Sequence, residues 1–268
     1  MRSLKLTLAG LAITISTTAP AAPITFDLTA PDSRTGVVNS TYAKEYGYSE
    51  SDLGLSVTGW SYRIKTTPVC TKTNKQGKCT KTENVTTKTI EQDLVGKWDG
   101  LGVERTDSPN HAVDNEGGDY DMHLLSFDEL VKLISLDLGW YQKDTDISIL
   151  AFSGSNFESS SLLGKNWEDL IGNGWDLVGN YYNVDYGNSG AVNYNGVISQ
   201  YWLVGAYNPG FGDVFSGPNR DRTKGVDYYK LKGLTVERPP VVDVAEPGSI
   251  LLMVLGLLGL GFVRRRTA

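Results

Sequence analysis

Apolar and polar residues alternate at a spacing of two along much of the chain between residues 24 and 236. Ile134, Leu136, Leu138 and Trp140 alternate with Ser135, Asp137 and Gly139, which predicts a strand over residues 133–140 with one buried face. Phe127, Leu130, Val131 and Ile134 also fit helical spacing, but the clean alternation beyond residue 133 and the strand-like surroundings favour a strand. Residues 147–152 follow a polar connection and read as its antiparallel neighbour. Leu53, Leu55 and Val57 occupy one parity and Trp60, Tyr62 and Ile64 the other, so residues 53–65 are expected to form a half-buried strand bulged near Gly59. Further strands are expected at 24–29, 80–90, 197–207 and 226–236. The one helix expected in this body comes from Leu163, Trp167, Leu170 and Ile171, and it stops at Gly172-Asn173-Gly174. The pattern therefore predicts a mainly β fold: an antiparallel β-sandwich, jelly-roll-like, with one short helix. No repeat with a period of about 20 to 50 residues interrupts it.

Two apolar runs at the chain ends break the alternation. Near the start, Arg2 and Lys5 precede the apolar residues 6–15 and the small-residue site Ala19-Pro20-Ala21, which reads as a secretory signal peptide over 1–21. Near the end, residues 250–263 are unbroken apolar sequence. As a helix they span roughly 21 Å, short of the roughly 30 Å hydrocarbon core, so crossing depends on the flanks. Arg264, Arg265 and Arg266 supply one flank: they can snorkel to headgroups and, by the positive-inside rule, act as a cytoplasmic membrane stop. The expected organisation is a signal peptide at 1–21, an exported β-sandwich domain at 22–236, a linker at 237–244 and a sorting segment with a transmembrane helix at 245–268. Pro239 and Pro240 keep that linker extended.

Charge sharpens this division. Five of the 25 basic residues (Arg2, Lys5 and the three terminal arginines) sit in residues 1–21 and 250–268, the signal peptide and the apolar helix with its tail, which contain no acids. The rest of the chain carries 20 basic against 31 acidic residues, a formal charge of −11. Such a surface argues against nucleic acid as a partner, since binding there depends on basic patches. The two cysteines, Cys70 and Cys79, flank a polar tip containing Asn74 and Gly77. In an oxidising compartment they are expected to form a disulfide across a hairpin, and the tip offers too few ligands for a metal. Lys65, Lys72, Lys75, Lys78, Lys81 and Lys88 make this arm locally basic, suited to discouraging edge pairing or to meeting an anionic polymer.

Candidate chemistry is sparse. Asp114, Asn115, Asp119 and Asp121, with Glu116, Gly117 and Gly118 among them, offer the oxygen ligands that Ca²⁺ favours, although the same residues also build surface turns. Asp144 and Asp146 form a second, smaller candidate for calcium. His111 and His123 are the only near-neutral acid–base groups, and neither lies in a nucleophile or zinc motif. His111 with Asp114 reads as a loop hydrogen-bond pair. The aromatic and amide residues of 175–195 could line a sugar site or pack a sheet. A pair of carboxylates for glycoside hydrolysis is always available in a chain this acidic, without a pattern that selects one.

The order of features at the chain end, an acidic-proline motif followed by an apolar helix and an arginine cluster, resembles the PEP-CTERM sorting signal read by exosortases of Gram-negative bacteria. The sorting motif falls on Ala245, Glu246, Pro247 and Gly248, with Ala245 where the family has its first proline. A second series also resembles a group of exosortase-dependent surface proteins over residues 100–153. It runs through Gly100-Leu101-Gly102-Val103, Ser108-Pro109-Asn110-His111, Leu124-Leu125-Ser126-Phe127-Asp128, Leu138-Gly139-Trp140 and Asp144-Thr145-Asp146. The likeness is weaker over 200–207 and 227–236. The resemblance implies a non-catalytic exported protein, processed by an exosortase after an inner-membrane intermediate and left at the cell surface or in the extracellular matrix. Its implied partners are the exosortase, the membrane during sorting, and exopolysaccharide. A carbohydrate-binding module and a polysaccharide hydrolase are the alternatives.

Overall fold

The alternation becomes an antiparallel network of thirteen strands among the described residues. These are β1 (Ile24–Asp27), β2 (Ser33–Thr35), β3 (Tyr42–Ala43), β4 (Glu45–Glu50), β5 (Leu53–Thr73), β6 (Cys79–Trp98) and β7 (Gly100–Glu104). They continue with β8 (Val113–Asp114), β9 (Met122–Lys143), β10 (Ile147–Phe152), β11 (Trp175–Tyr181), β12 (Ser199–Ala206) and β13 (Asp227–Glu237). The structure, a computed structural model, describes residues 22–104, 111–184, 190–212, 215 and 225–240. The signal peptide expected at 1–21, the expected sorting residues Ala245, Glu246, Pro247 and Gly248, the apolar run and Arg264, Arg265 and Arg266 lie outside them. Among the described residues no helix is long and apolar enough to cross a membrane.

The fold is mainly β and antiparallel, consistent with a β-sandwich. One sheet has the order β2-β4-β5-β9-β12-β10-β11. In the other, β13 pairs with β9 along one edge and with β1, β7 and β8 along its opposite edge, while β6 joins β7 to β3. Two long strands belong to both sheets. The first half of β9 pairs with β5 and β12 and its second half with β13. Likewise β6 leaves β5 near Asp93 and continues along β7.

A main core built from both sheets includes Phe26, Tyr46, Val57, Phe127, Trp202 and Leu231. A second apolar cluster gathers Trp60, Tyr62, Ile90, Leu124, Trp167 and Leu203. The two clusters explain the change of parity in β5, which the sequence alone attributes to a bulge near Gly59. The register with β9 runs through Gly59 without a shift, while on the other edge β4 pairs up to Thr58 and β6 takes over from Gly59. Leu53, Leu55 and Val57 belong to the main core and Trp60 and Tyr62 to the second. Because successive side chains point to opposite faces, an unbroken strand changes its apolar parity when the covered face changes.

Three further expectations are corrected. The second cluster is covered by residues 153–174, where the spacing predicts a helix, yet only two 3₁₀ turns form, Ser159–Leu162 and Glu168–Leu170. Gly164 takes a left-handed φ of +75°, and its N–H donates to the Ile90 carbonyl while the Lys165 carbonyl accepts from Ile90 N–H. Those backbone groups are thereby drawn to β6 and lost to an α-helical ladder. Trp167 N–H donates to the Tyr62 hydroxyl at 2.7 Å, and that hydroxyl donates to Glu168 Oε2 at 2.8 Å. Second, β10 is a neighbour of β11 and β12, not of residues 133–140, which β13 occupies. Third, the linker expected from residue 237 starts later: Glu237 ends β13, and Arg238 donates to Glu129 Oε2 and to the Ser51 carbonyl.

Beyond Arg63 the paired strands β5 and β6 leave the core. Residues 65–87 are exposed and form a two-stranded arm closed by the turn at Asn74, whose Oδ1 accepts from Gln76 and Lys78 N–H. The Cys70–Cys79 disulfide forms near its far end, with Cα atoms 5.8 Å apart. An isolated hairpin is marginally stable in water, so a cross-link placed where no core reaches opposes fraying. Lys65, Lys72, Lys75, Lys78 and Lys81 are exposed on the arm. Lys88 is half-buried at its base, donating to the Gly118 carbonyl and lying near the Tyr62 and Tyr120 rings.

Replacing both cysteines by serine is expected to act locally. The cross-link closes a loop of roughly ten residues, an effect of about 2–3 kcal/mol in the chain-entropy picture. Amide exchange across residues 66–86 should accelerate while the Tm of the body moves by less than about 2 °C. A fall in Tm larger than about 5 °C would show instead that the arm and core unfold together.

Candidate functional site

Five strand ends meet at one end of the described body and bring together acids that are distant in sequence. Asp144 and Asp146 occupy the connection from β9 to β10, Asp227 begins β13, Asn115 follows β8, and Tyr207 follows β12. Each of the three aspartates is only 2% exposed, and each offers a carboxylate oxygen within 4.8 Å of the others. Backbone bonds lock the arrangement: Tyr228 N–H donates to the Asp144 carbonyl, and Tyr207 N–H to the Asp146 carbonyl at 2.9 Å.

The carboxylates are positioned by local donors. Asp227 Oδ1 accepts from Asp146 N–H at 2.9 Å and Oδ2 from Asn115 Nδ2 at 2.5 Å. Asp227 N–H in turn donates to Asn115 Oδ1 at 2.9 Å. Asn115 Nδ2 also reaches the Tyr207 carbonyl. Asp146 Oδ1 accepts from Asn183 N–H and Asp144 Oδ1 from Thr145 N–H. Asp144 Oδ2 is buried and has no hydrogen-bond partner among the described residues.

Electrostatics make this set costly in its fully ionised form. Two unit charges 4.8 Å apart repel by about 3 to 4 kcal/mol at an effective dielectric constant near 20. Burial, and then the neighbouring Asp146 charge, push the Asp227 carboxyl up to about 8. The arrangement can lower its charge by holding a proton or by meeting a cation, and its oxygen donors suit a hard one.

The residues of the first candidate for calcium, Asp114, Asn115, Asp119 and Asp121, divide between two places. Asp114 and Asp121 close the base of a loop, with Asp121 N–H donating to the Asp114 carbonyl and Asp114 N–H to Asp121 Oδ2. Asp114 Oδ1 accepts from Glu116 N–H. Burial and the charges of Asp114 and Asp119 hold the Asp121 carboxyl well above the usual range. Asn115 turns instead toward Asp227. Of the four residues it alone joins the triad, and its partner Asp227 is one that spacing could not select. Some 110 residues separate them, and the signal is the shared chemistry of short acidic segments at strand ends.

The histidines are also placed differently from the sequence reading. His111 pairs with Glu104 rather than Asp114, receives the edge of Tyr42, and stacks on Trp98 with ring centroids 4.7 Å apart. The Lys230 ammonium lies 4.6 Å from the Trp98 ring and 5.0 Å from Trp140. This cluster collects several residues of the 100–153 series. A Cβ on Gly102 would strike the His111 carbonyl and one on Gly139 the Asp99 carbonyl, so both glycines permit close backbone approach.

The aromatic stretch at 175–195 supplies Trp175 and Tyr181 to the cores, while Tyr194 is exposed. An open groove of about 480 Å³ is lined by Asp32, Glu45, Tyr48, Asp128 and Tyr201, and among the described residues no histidine, cysteine, lysine or arginine borders it. Asp32 and Asp128 accept backbone N–H bonds from Ser49 and Gly54, a structural use of both. Comparison with known protein families, with curated proteins and with solved structures finds no match for this chain.

His123 sits fully buried in β9, and among the described residues neither ring nitrogen has a hydrogen-bond partner at normal distance; the Gly102 backbone favours the protonated ring, but by less than burial disfavours it. Burial lowers its pKa from 6.5 to about 4, so the folded chain holds the ring neutral while the unfolded chain protonates it. Its contribution to stability is complete above pH 6.5 and is lost as pH falls from 6.5 toward 4, at no more than about 1.4 kcal/mol per pH unit. Denaturant unfolding of His123→Leu between pH 7 and pH 4.5 should show a shallower loss of stability than wild type. Equal slopes would show that His123 does not carry this dependence.

Proposed function

We propose that the chain is a non-catalytic exported protein of the cell surface or extracellular matrix, sorted through its PEP-CTERM-like end and processed by an exosortase. The observation that carries this reading is the Cys70–Cys79 disulfide on an exposed arm. Such bonds persist in oxidising compartments, which agrees with a signal peptide at 1–21 and a body delivered outside the inner membrane. The arm is also the surface this reading assigns to polymer contact: its five exposed lysines suit an anionic exopolysaccharide, whereas the rest of the body is acidic. A jelly-roll-like sandwich serves as the rigid scaffold behind it. The apolar run with Arg264, Arg265 and Arg266 holds the chain at the membrane until it is processed. Ala245 stands where the proline of the sorting motif is expected, so its replacement by proline should preserve or improve processing.

Fractionation of cells expressing the wild-type chain beside a variant lacking residues 245–268 tests this reading. Wild type is expected in the surface or matrix fraction in a shortened form, and the truncated variant in the periplasm or medium without that processing step. The same distribution and size history for both would overturn the sorting role.

A further inference from the structure

We propose that Asp144, Asp146 and Asp227, together with the side-chain carbonyl of Asn115, form a binding site for a single hard divalent cation of the calcium class. The inference stands apart from the sorting reading, since it concerns only the described body.

Three observations converge on it. One carboxylate oxygen from each of the three aspartates lies within 4.8 Å of the other two, close enough for a single ion with Ca–O distances of roughly 2.3–2.6 Å to be shared after a small adjustment. Asp144 Oδ2, in a residue that is 2% exposed, is buried and has no hydrogen-bond partner among the described residues, an acceptor left unsatisfied within the acidic set. The remaining oxygens are held in place before any ion arrives: Asn183 N–H holds Asp146 Oδ1, Asp146 N–H and Asn115 Nδ2 hold Asp227, and Asp227 N–H fixes Asn115 Oδ1. That carbonyl oxygen keeps a second lone pair. Four protein oxygens from three carboxylates and one amide form an oxygen-only donor set, which favours calcium or magnesium over zinc or copper. Calcium fits better than magnesium, because it tolerates irregular geometry and longer bonds, whereas magnesium demands a compact octahedron.

The placement gives such an ion a structural task. The ligands come from the junctions β9–β10, β8 and its following residue, and the start of β13, so one cation would tie both sheets at a single point. Carboxylates that repel one another in its absence would hold the strand ends together in its presence.

The test uses the purified full chain, stripped with EDTA and titrated with CaCl2 or MgCl2 while heat of binding and Tm are followed. Calcium is expected to bind at one site per chain and, at about 100-fold excess over its Kd, to raise Tm by on the order of 5–10 °C. Magnesium should bind at least 10-fold more weakly. Asp146→Asn keeps size and an acceptor for Asn183 N–H, so it should weaken calcium binding at least 10-fold and leave the calcium-free Tm unchanged or higher, because a like charge is removed. Asp227→Asn keeps size but gives up one of two accepted hydrogen bonds, and should weaken calcium binding at least 10-fold. Asp119→Asn, in the separate loop after β8, should bind as wild type. Absence of heat and of any Tm change in wild type would overturn the site, and the cluster would then be neutralised by protons or by side chains of its own chain. Calcium binding that survives Asp227→Asn and fails in Asp119→Asn would overturn it equally.

Discussion

Burial on both faces of the sheet formed by β5, β9 and β12 is the constraint from which the rest of the body follows. One face packs against the second sheet and the other is roofed by residues 153–174. Trp60, Trp167, Trp175 and Trp202 are each no more than 2% exposed, and they divide between the two sides: Trp202 in the main core, the other three under the roof. Fully burying one large apolar side chain is worth about 1.5–3 kcal/mol, so each layer holds a substantial share of the driving force. A polar, glycine-rich segment that would otherwise be a surface loop is thereby committed to the fold. It is held by backbone bonds to Ile90 and by the Tyr62 hydroxyl rather than by helical structure of its own.

The same architecture accounts for the acidic junction. Long strands that pass between sheets deliver their ends to a common place, and polar connections there are drawn inside with them. The cost of burying Asp144, Asp146 and Asp227 is offset in part by the donors that each accepts, from Thr145, Asn183, Asn115 and Asp146. A buried set of like charges needs a counter-charge or a proton, and the oxygen geometry suits the former. The Trp98, Trp140 and Lys230 cluster solves a related problem by other means: two indole faces accommodate a partly buried ammonium whose pKa burial lowers. The arm stands at the other extreme. It buries little, so a covalent bond substitutes for packing.

Much of the strand content is legible in residue order. The segments near 24–29, 80–90, 197–207 and 226–236 all appear as strands, and Cys70 pairs with Cys79. Each is specified locally, by alternation or by a short loop between cysteines. The expectations that failed depend on what lies across space. Gly59 carries no bulge because the apolar parity of β5 changes with the covered face. The residues 163–171 form no α-helix because their backbone groups find partners on β6. Strand β10 joins β11 and β12 because the second half of β9 is already bonded to β13.

For the candidate site the division is sharper. Residue types mark Asn115, Asp144 and Asp146 as candidate oxygen donors, along with Asp114, Asp119 and Asp121, although the same types also build turns. Asp227 carries no such mark: it opens an ordinary strand after a polar loop, and only the pairing of β13 with β8 and β9 brings it to the others. The sequence by itself determined the β character of this body, its disulfide, its acidity and the chemistry of its end segments, since periodicity, composition and short loops are local properties. Tertiary structure alone decided which faces are buried and which acids meet, because both depend on pairings between residues roughly 60 to 120 apart in sequence.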